Sequence, residues 1–229
     1  MIGADEIARR YRQVKERIAQ ACARARRPAE SVRLVLAGKT NPPAALRAAY
    51  AAGAREFGEN YVQEAVAKRA ALADLKDVRW HLIGSLQSNK ARAAAETFDV
   101  IQTLDRPRLA AAIARIRARP PMPMLIEVNI AGELSKSGVA PERLEALIEA
   151  SRGLVDLLGL MAIPPAAEAS EAGRRWFAAL RGLRDRMRAR SGLELPELSM
   201  GMTDDFEIAI EEGATIVRVG RAVFGERTK

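Results

Sequence analysis

The chain contains few of the residues that build disulfide frameworks, metal centres or aromatic surfaces. Its 229 residues include one cysteine, one histidine and 4% aromatic residues. One thiol forms no internal disulfide and suits a reducing compartment, so we expect Cys22 to be a buried helix residue of a cytoplasmic protein. The single histidine has no metal-ligand spacing around it, so we expect His81 to be a hydrogen-bonded core residue and not a base.

Long hydrophobic runs are also absent. No apolar run approaches the roughly 20 residues of a membrane span, and Asp5, Glu6, Arg9 and Arg10 stand where a signal peptide has its apolar stretch. The net charge is +8. The arginines are spread over predicted helix surfaces with acidic residues between them, and no basic stripe carries aromatic residues. These patterns predict neither a membrane nor a nucleic acid as a partner.

Apolar runs of strand length alternate with segments of helical periodicity along the chain. The predicted strands cover residues 32–37, 55–57, 78–83, 98–103, 124–130, 154–162, 195–200 and 215–219. Eight such units in a chain of this length favour an α/β fold of the (β/α)8 TIM-barrel type, with an extra N-terminal helix over residues 5–26. We expect one domain over residues 1–229. The alternative, an open doubly wound sheet, would carry a G-x-G-x-x-G turn, which residues 38–42 lack.

Polar residues and glycines collect after the predicted strands. They are Lys39, Glu59, Asn60, His81, Gly84, Ser85, Asn129, Ser199, Gly201, Thr203, Arg218, Gly220 and Arg221. In a barrel, chemistry takes place at this carboxyl end of the strands. An amine held there in partly apolar surroundings can lose its proton and form a Schiff base with an aldehyde, which makes Lys39 the candidate. The alternative is a lysine whose ammonium simply reaches solvent.

The last two strand ends indicate a phosphate site. Ser199, Met200 and Gly201 lead from the seventh strand into a helix predicted to begin with Thr203 as its N-cap, and Gly220 opens a short helix after the eighth strand. Barrels often bind phosphate here, because glycine lets backbone N–H groups approach an anion. The alternative is that both glycines only form tight turns. A reactive lysine and a phosphate site together indicate pyridoxal phosphate, or a phosphosugar in a Schiff-base aldolase.

Arg218 helps to choose between these ligands. It lies near the end of the last predicted strand, where an unpaired guanidinium would be costly. A pyridine nitrogen is a fitting partner, and it would stay unprotonated because a guanidinium does not give up its proton. The alternative is an ion pair with a carboxylate such as Glu59 or Asp204. An aldolase would need further acid-base groups, and the strand-five pattern does not decide which way Glu127 faces.

Five segments resemble one known family. They are residues 36–40 (LAGKT), 57–64 (FGENYVQE), 80–90 (WHLIGSLQSNK), 198–205 (LSMGMTDD) and 217–225 (VRVGRAVFG). In this order, and over about residues 5–225, the chain is similar to the pyridoxal phosphate homeostasis proteins, single-domain relatives of the alanine racemase barrel. Two positions depart from the family pattern, since Gly38 stands where a serine is common and Ser85 where a histidine is common.

The resemblance implies a fold-type III barrel that holds pyridoxal phosphate as a Schiff base on Lys39. The other expected cofactor-binding residues are Asn60, Ser199, Met200, Gly201, Gly220 and, toward the pyridine nitrogen, Arg218. The resemblance further implies a binding protein that buffers the cofactor or delivers it to apoenzymes, without enzymatic turnover. We expect this chain to be a monomer. The alternative activity is that of a pyridoxal phosphate-dependent amino-acid racemase, with the aldolase ranked third.

Overall fold

The computed structural model describes residues 2–117, 119–133, 135–165 and 171–226. Its eight strands pair in chain order, all parallel, and β8 pairs with β1 to close a barrel, as the sequence predicts. The strands are β1 (Arg33–Ala37), β2 (Glu56–Glu59), β3 (Arg79–Leu82), β4 (Val100–Leu104), β5 (Pro123–Glu127), β6 (Asp156–Met161), β7 (Glu197–Ser199) and β8 (Ile216–Val219). Because they are parallel, all carboxyl ends meet at one rim.

Helices surround the barrel. They are α1 (Ala4–Arg24), α2 (Pro43–Ala51), α3 (Val62–Ala71), α4 (Ala91–Thr97), α5 (Pro107–Ile116), α6 (Leu144–Ser151), α7 (Arg174–Ser191), α8 (Phe206–Glu211) and α9 (Arg221–Phe224). The extra N-terminal helix α1 packs on α2, α8 and α9. It buries Cys22 as expected, and burial raises the pKa of that thiol. Within the described residues, no helix has both the length and the apolar composition to cross a membrane.

The alternation of side chains along the strands divides the buried apolar residues into two clusters, one between the barrel and the helices and one inside the barrel. Along β8, Val217 and Val219 pack outward against the helices, whereas Ile216 packs inside the barrel. Val35 of β1 and Leu125 of β5 join the same small interior cluster. Because side chains on a strand alternate between its faces, the positions two residues along from these also face the interior. The barrel interior therefore receives residues of both apolar and polar type.

The helix after β7 begins later than the sequence predicts. Thr203 was expected to be its N-cap, but α8 starts at Phe206, so that expectation is wrong. The side chain of Asp205 accepts a 2.6 Å hydrogen bond from the N–H of Met202 and folds this segment into a turn. Thr203 Oγ1 instead accepts a 3.4 Å hydrogen bond from the N–H of Ala222, so Thr203 faces α9.

β5 ends earlier than expected, at Glu127. Val128 makes only an isolated bridge to Val139. Asn129 then closes a loop on Glu133: its Nδ2 donates to the backbone oxygen of Glu133 over 2.8 Å, and its Oδ1 accepts from the N–H of Glu133 over 3.1 Å. Asn129 therefore shapes the loop that follows β5.

Candidate ligand-binding site

Lys39 stands at the carboxyl end of β1, as predicted, and its side chain is half-buried. A buried lysine of α3, Lys68, supports the backbone beside it. Lys68 Nζ donates hydrogen bonds to the carbonyl oxygen of Gly38 over 2.7 Å, to Glu59 over 2.7 Å and to Glu64 over 2.6 Å. These three acceptors use all three protons of the ammonium. The chain before Lys39 is therefore held by a buried ion-pair cluster.

The same cluster supports the chain after Lys39. Glu64 accepts a 2.7 Å hydrogen bond from the N–H of Thr40, whose φ of 65° is in the left-handed region. A Cβ at Gly38 would lie 2.5 Å from Glu59 Oε1, so glycine leaves the room that this carboxylate occupies. Burial raises the pKa of the Glu59 carboxyl, and the hydrogen bond from Lys68 opposes that rise. The glycine in place of the family's common serine thus has a local packing reason.

Arg218 points into the barrel and is 4% exposed. Its guanidinium donates a 2.6 Å hydrogen bond to Ser199 Oγ and a 2.9 Å hydrogen bond to the backbone oxygen of Ala162. Ser199 Oγ in turn donates to Gln102 Oε1 over 2.6 Å. Burial lowers the pKa of Arg218 to about 10, against the effect of nearby carboxylates, so the guanidinium is protonated at neutral pH.

The chain of hydrogen bonds continues to the opposite side of the barrel. Gln102 Nε2 lies 3.0 Å from His81 Nδ1, and His81 Nε2 lies 2.9 Å from Glu56 Oε2. Burial lowers the pKa of His81, so the imidazole is neutral. With the Gln102 amide donating to Nδ1, the single ring proton is assigned to Nε2, which lies beside Glu56 Oε2 without the geometry of a hydrogen bond. His81 is thus a hydrogen-bonded core residue, as expected, and Glu56 is an acid partner that sequence spacing did not show.

The expected alternative for Arg218, an ion pair with Glu59 or Asp204, is wrong. Glu59 pairs with Lys68, and Asp204 pairs with Arg221 on the surface. Within the described residues, no carboxylate lies within ion-pair distance of the Arg218 guanidinium. Arg218 is therefore a buried cation anchored by two neutral acceptors at the rim of the barrel.

The loops after β7 and β8 place the other predicted residues close to Arg218. Met200 is buried, and its N–H donates to the backbone oxygen of Ile216. Gly201 has φ of 91° and its carbonyl oxygen accepts from the N–H of Arg218. A Cβ at Gly201 would lie 2.6 Å from the Cβ of Ala209, so this glycine is also needed for packing against α8. At Gly220, a Cβ would approach the backbone of β1 to 3.0 Å.

Asn60 lies on the other side of the rim and lines a cavity of about 290 Å³. Ile83, Glu127 and Asn129 line the same cavity. Glu127 faces inward, which settles the direction that the strand-five pattern left open, and it is 8% exposed. Burial, with the charge of Asp105, raises the pKa of Glu127 to about 7. Among the described residues, no cluster of three or more potential metal ligands occurs.

Comparison with known proteins then identifies the family. A family model for the alanine racemase N-terminal domain matches residues 4–228. A pyridoxal phosphate homeostasis protein of Aquifex aeolicus is 47% identical over 222 residues, which cover 95% of this chain and 97% of the relative. This chain belongs to the pyridoxal phosphate homeostasis protein family. The resemblance carried by the five sequence segments is confirmed.

Two solved structures place this family member among known barrels. PipY of Synechococcus elongatus, solved with pyridoxal phosphate bound, is 42% identical and matches with a TM-score of 0.81 over 93% of this chain and 100% of PipY. An alanine racemase from Corynebacterium glutamicum is 20% identical, with a TM-score of 0.76 over 98% of this chain and 62% of the racemase. The racemase likeness shows the shared barrel fold alone.

Several residues of this family member's site were missed or left undecided by the sequence. They are Glu56, Glu64, Lys68, Gln102 and Glu127. One signal was available for Lys68, because Glu64 stands four residues before it on a predicted helix, a spacing at which acid and base pair. Gln102 carried no comparable signal, since its partners lie on β3 and β7 and meet it only across the closed barrel.

Proposed function

We propose that this chain binds pyridoxal 5'-phosphate at the carboxyl end of the barrel and serves intracellular homeostasis of that cofactor. The observation that carries the proposal is the buried Arg218, a protonated guanidinium fixed by Ser199 and Ala162 at the same rim as Lys39. Such a cation is suited to an acceptor on a ligand, and a pyridine nitrogen is one. The relatives named for this cofactor, and PipY with the cofactor bound, support the choice of ligand.

The residues at the rim fit the chemical groups of this cofactor. When bound, pyridoxal phosphate supplies an aldehyde that condenses with a primary amine, beside a pyridine ring and a phosphate. In the proposal, Lys39 supplies the amine and Arg218 donates toward the pyridine nitrogen. The other residues that hold the cofactor are Asn60, Ser199, Met200, Gly201 and Gly220. Since Ser199 is already bonded to Gln102 and Arg218, its main part is to hold that guanidinium in place.

The Arg218 side chain supports binding without turnover. A guanidinium with a pKa of about 10 cannot protonate a pyridine nitrogen at neutral pH. A pyridine ring that stays neutral withdraws electrons weakly, so the protons of a bound amino acid are poorly activated. Relatives at 40–47% identity carry the homeostasis name, whereas two structurally similar alanine racemases are 20% and 16% identical. The proposal therefore ranks a cofactor-binding protein above an amino-acid racemase.

The proposal also covers the oligomeric state of the protein, its cellular compartment and its partners. One domain over residues 1–229 acts as a monomer in the cytoplasm, where its single buried thiol suits a reducing environment. Apoenzymes that use pyridoxal phosphate are the proposed recipients. A direct measurement of transfer to such an apoenzyme, compared with free cofactor at the same concentration, tests delivery separately from binding.

Borohydride treatment tests the binding site. Purified protein loaded with pyridoxal phosphate is reduced, digested and mapped by mass spectrometry, and the phosphopyridoxyl group is expected on Lys39. Lys39→Ala is expected to lose the label and stay folded, whereas Lys15→Ala, an exposed lysine on α1, keeps it. Label on another lysine with Lys39 unlabelled would contradict the assignment.

Isotope exchange tests the absence of turnover. Loaded protein is incubated with L-alanine in heavy water, and little exchange of the α-proton is expected. Exchange or racemisation at enzyme-like rates, on the order of one per second or faster, would favour the racemase instead.

A further inference from the structure

The cavity beside the rim is lined, among the described residues, by one acidic residue, Glu127, and one basic residue, Lys136, which differ in how well their charges are paired. Its lining includes Asn60, Ile83, Ser85, Glu127, Lys136 and Ile163. Of the seven residues proposed to hold the cofactor, only Asn60 belongs to this lining. Its volume of about 290 Å³ exceeds the ~30 Å³ share of one water molecule many times over. The cavity is therefore large enough for a small organic molecule next to the cofactor site.

Glu127 is the charged group of this wall whose buried carboxylate oxygen has no hydrogen-bond partner among the described residues. Its Oε2 is buried and makes no hydrogen bond with the described residues. The cationic group of the same lining, Lys136, is already saturated, because its Nζ donates to the backbone oxygens of Ile163 and Pro164 and pairs with Glu133 over 2.9 Å. A carboxylate that is desolvated and unpaired gains most from a ligand that brings hydrogen-bond donors and positive charge.

We infer that this cavity is a binding site for a small primary ammonium compound, with Glu127 as the anionic partner of its amino group. The remaining lining supports that chemical class, because Ile83 and Ile163 offer apolar surface to a short alkyl body. A metal ion suits the cavity poorly, since Glu127 is its one carboxylate among the described lining residues. The side chains of Ser85 and Ser137, 2.6 Å apart, join the loops that follow β3 and β5 at the cavity.

The charges around Glu127 predict how this binding depends on pH. Asp105 raises the pKa of Glu127 and Arg218 lowers it, while Lys136 lies in the same lining and Lys39 at the end of β1 on the same rim. With burial included, the pKa of Glu127 is about 7. An alkylammonium stays protonated through neutral pH, like a lysine side chain. The carboxylate must be ionised to bind it, so affinity falls as the pH falls through about 7.

Propylammonium chloride is a suitable probe, with propan-1-ol and propionate as neutral and anionic controls of similar size. Binding is followed by ligand-observed NMR on the full chain in two forms. One form is free of cofactor. The other is loaded with pyridoxal phosphate and reduced with borohydride, so that no aldehyde remains to react with the amine. Label on Lys39 in the second form reports separately on the proposed cofactor site.

Propylammonium is expected to bind both forms, and both controls to bind neither. Binding should be about tenfold weaker at pH 6 than at pH 8, the ratio of ionised Glu127 at these pH values. Glu127→Gln should weaken binding at pH 8 by about tenfold or more and abolish the pH dependence, whereas Glu127→Asp retains part of both. Glu142→Gln removes an exposed carboxylate from the surface and should change nothing.

Three results would overturn the inference. The first is no binding of propylammonium to either form. The second is equal binding by the wild type and Glu127→Gln at pH 8. The third is binding to the cofactor-free form alone, because it would show that the cofactor itself fills the cavity.

Discussion

Lys68 Nζ donates a 2.7 Å hydrogen bond to the carbonyl oxygen of Gly38, the residue immediately before Lys39. The same ammonium pairs with Glu59 and with Glu64, and Glu64 accepts from the N–H of Thr40. The backbone on both sides of Lys39 is thus attached to one buried cation on α3. A change at Lys68 is therefore expected to act on the Lys39 amine through the backbone that carries it.

Replacing Lys68 by methionine tests this attachment. The variant leaves the buried carboxylate of Glu59 without its partner and is expected to lower the free energy of unfolding by about 3 kcal/mol in urea titrations. Pyridoxal phosphate should bind about tenfold more weakly, which corresponds to ~1.4 kcal/mol of lost positioning. Lys15→Met, on the exposed face of α1, is the control. Unchanged affinity in a folded Lys68→Met protein would show that Lys39 needs no such support.

Gln102→Leu tests the hydrogen-bonded chain across the barrel. Leucine leaves Ser199 Oγ and His81 Nδ1 without the amide between them, so the free energy of unfolding should fall by about 2 kcal/mol. Because Ser199 then loses one of its two partners, Arg218 is held less firmly, and the absorption spectrum of bound cofactor should shift. Gln13→Leu, an exposed change of the same kind on α1, is the control. A normal spectrum in Gln102→Leu would mean that Ser199 and Ala162 position the guanidinium without help from Gln102.

Glu127→Gln should change stability in a pH-dependent way. Burial and Asp105 raise the pKa of Glu127 from 4.5 to about 7 in the folded protein. The folded state therefore binds more protons than the unfolded state between these values, so the wild type loses stability as the pH rises through that range.

At pH 8, glutamine removes this buried charge. The variant should be more stable than the wild type by about 2 kcal/mol, less than the ~3 kcal/mol of the full pKa shift because the amide is also buried. Near pH 4 the two should be about equally stable. Thermal unfolding across this range measures the difference, and a constant difference at all pH values would refute the raised pKa.

Gly38→Ser tests why a glycine precedes the reactive lysine. A Cβ there would lie 2.5 Å from Glu59 Oε1, an oxygen held in place by Lys68. The variant is expected to lose about 1–3 kcal/mol of unfolding free energy, as overpacked sites do. Gly182→Ala on α7 is the matched control, since a Cβ there comes no closer than 3.4 Å to a flexible arginine. It should stabilise the helix by up to ~1 kcal/mol. Equal stability of Gly38→Ser and the wild type would show that Glu59 moves freely.

The repeated pattern of apolar runs and helical segments was sufficient to predict the barrel. Each strand is specified by local residues, and parallel strands of this number close only in a few ways. The same local reasoning placed Lys39 and Arg218 at strand ends, where they are found. It was wrong about Thr203, because the turn before α8 is decided by the side chain of Asp205 and the nearby helix α9.

The sequence by itself determined which side chains reach the rim, because a strand's end and its alternation are properties of a short segment. Only the tertiary structure decided which of them meet. Ser199 and Gln102 are 97 residues apart and share a hydrogen bond because β4 and β7 face one another inside the closed barrel. The pKa of Glu127 is raised in the same way, because burial and the charge of Asp105 act on its carboxyl group only once the strands surround it. Contacts and desolvation of this kind depend on the position of every strand at once, so no local pattern encodes them.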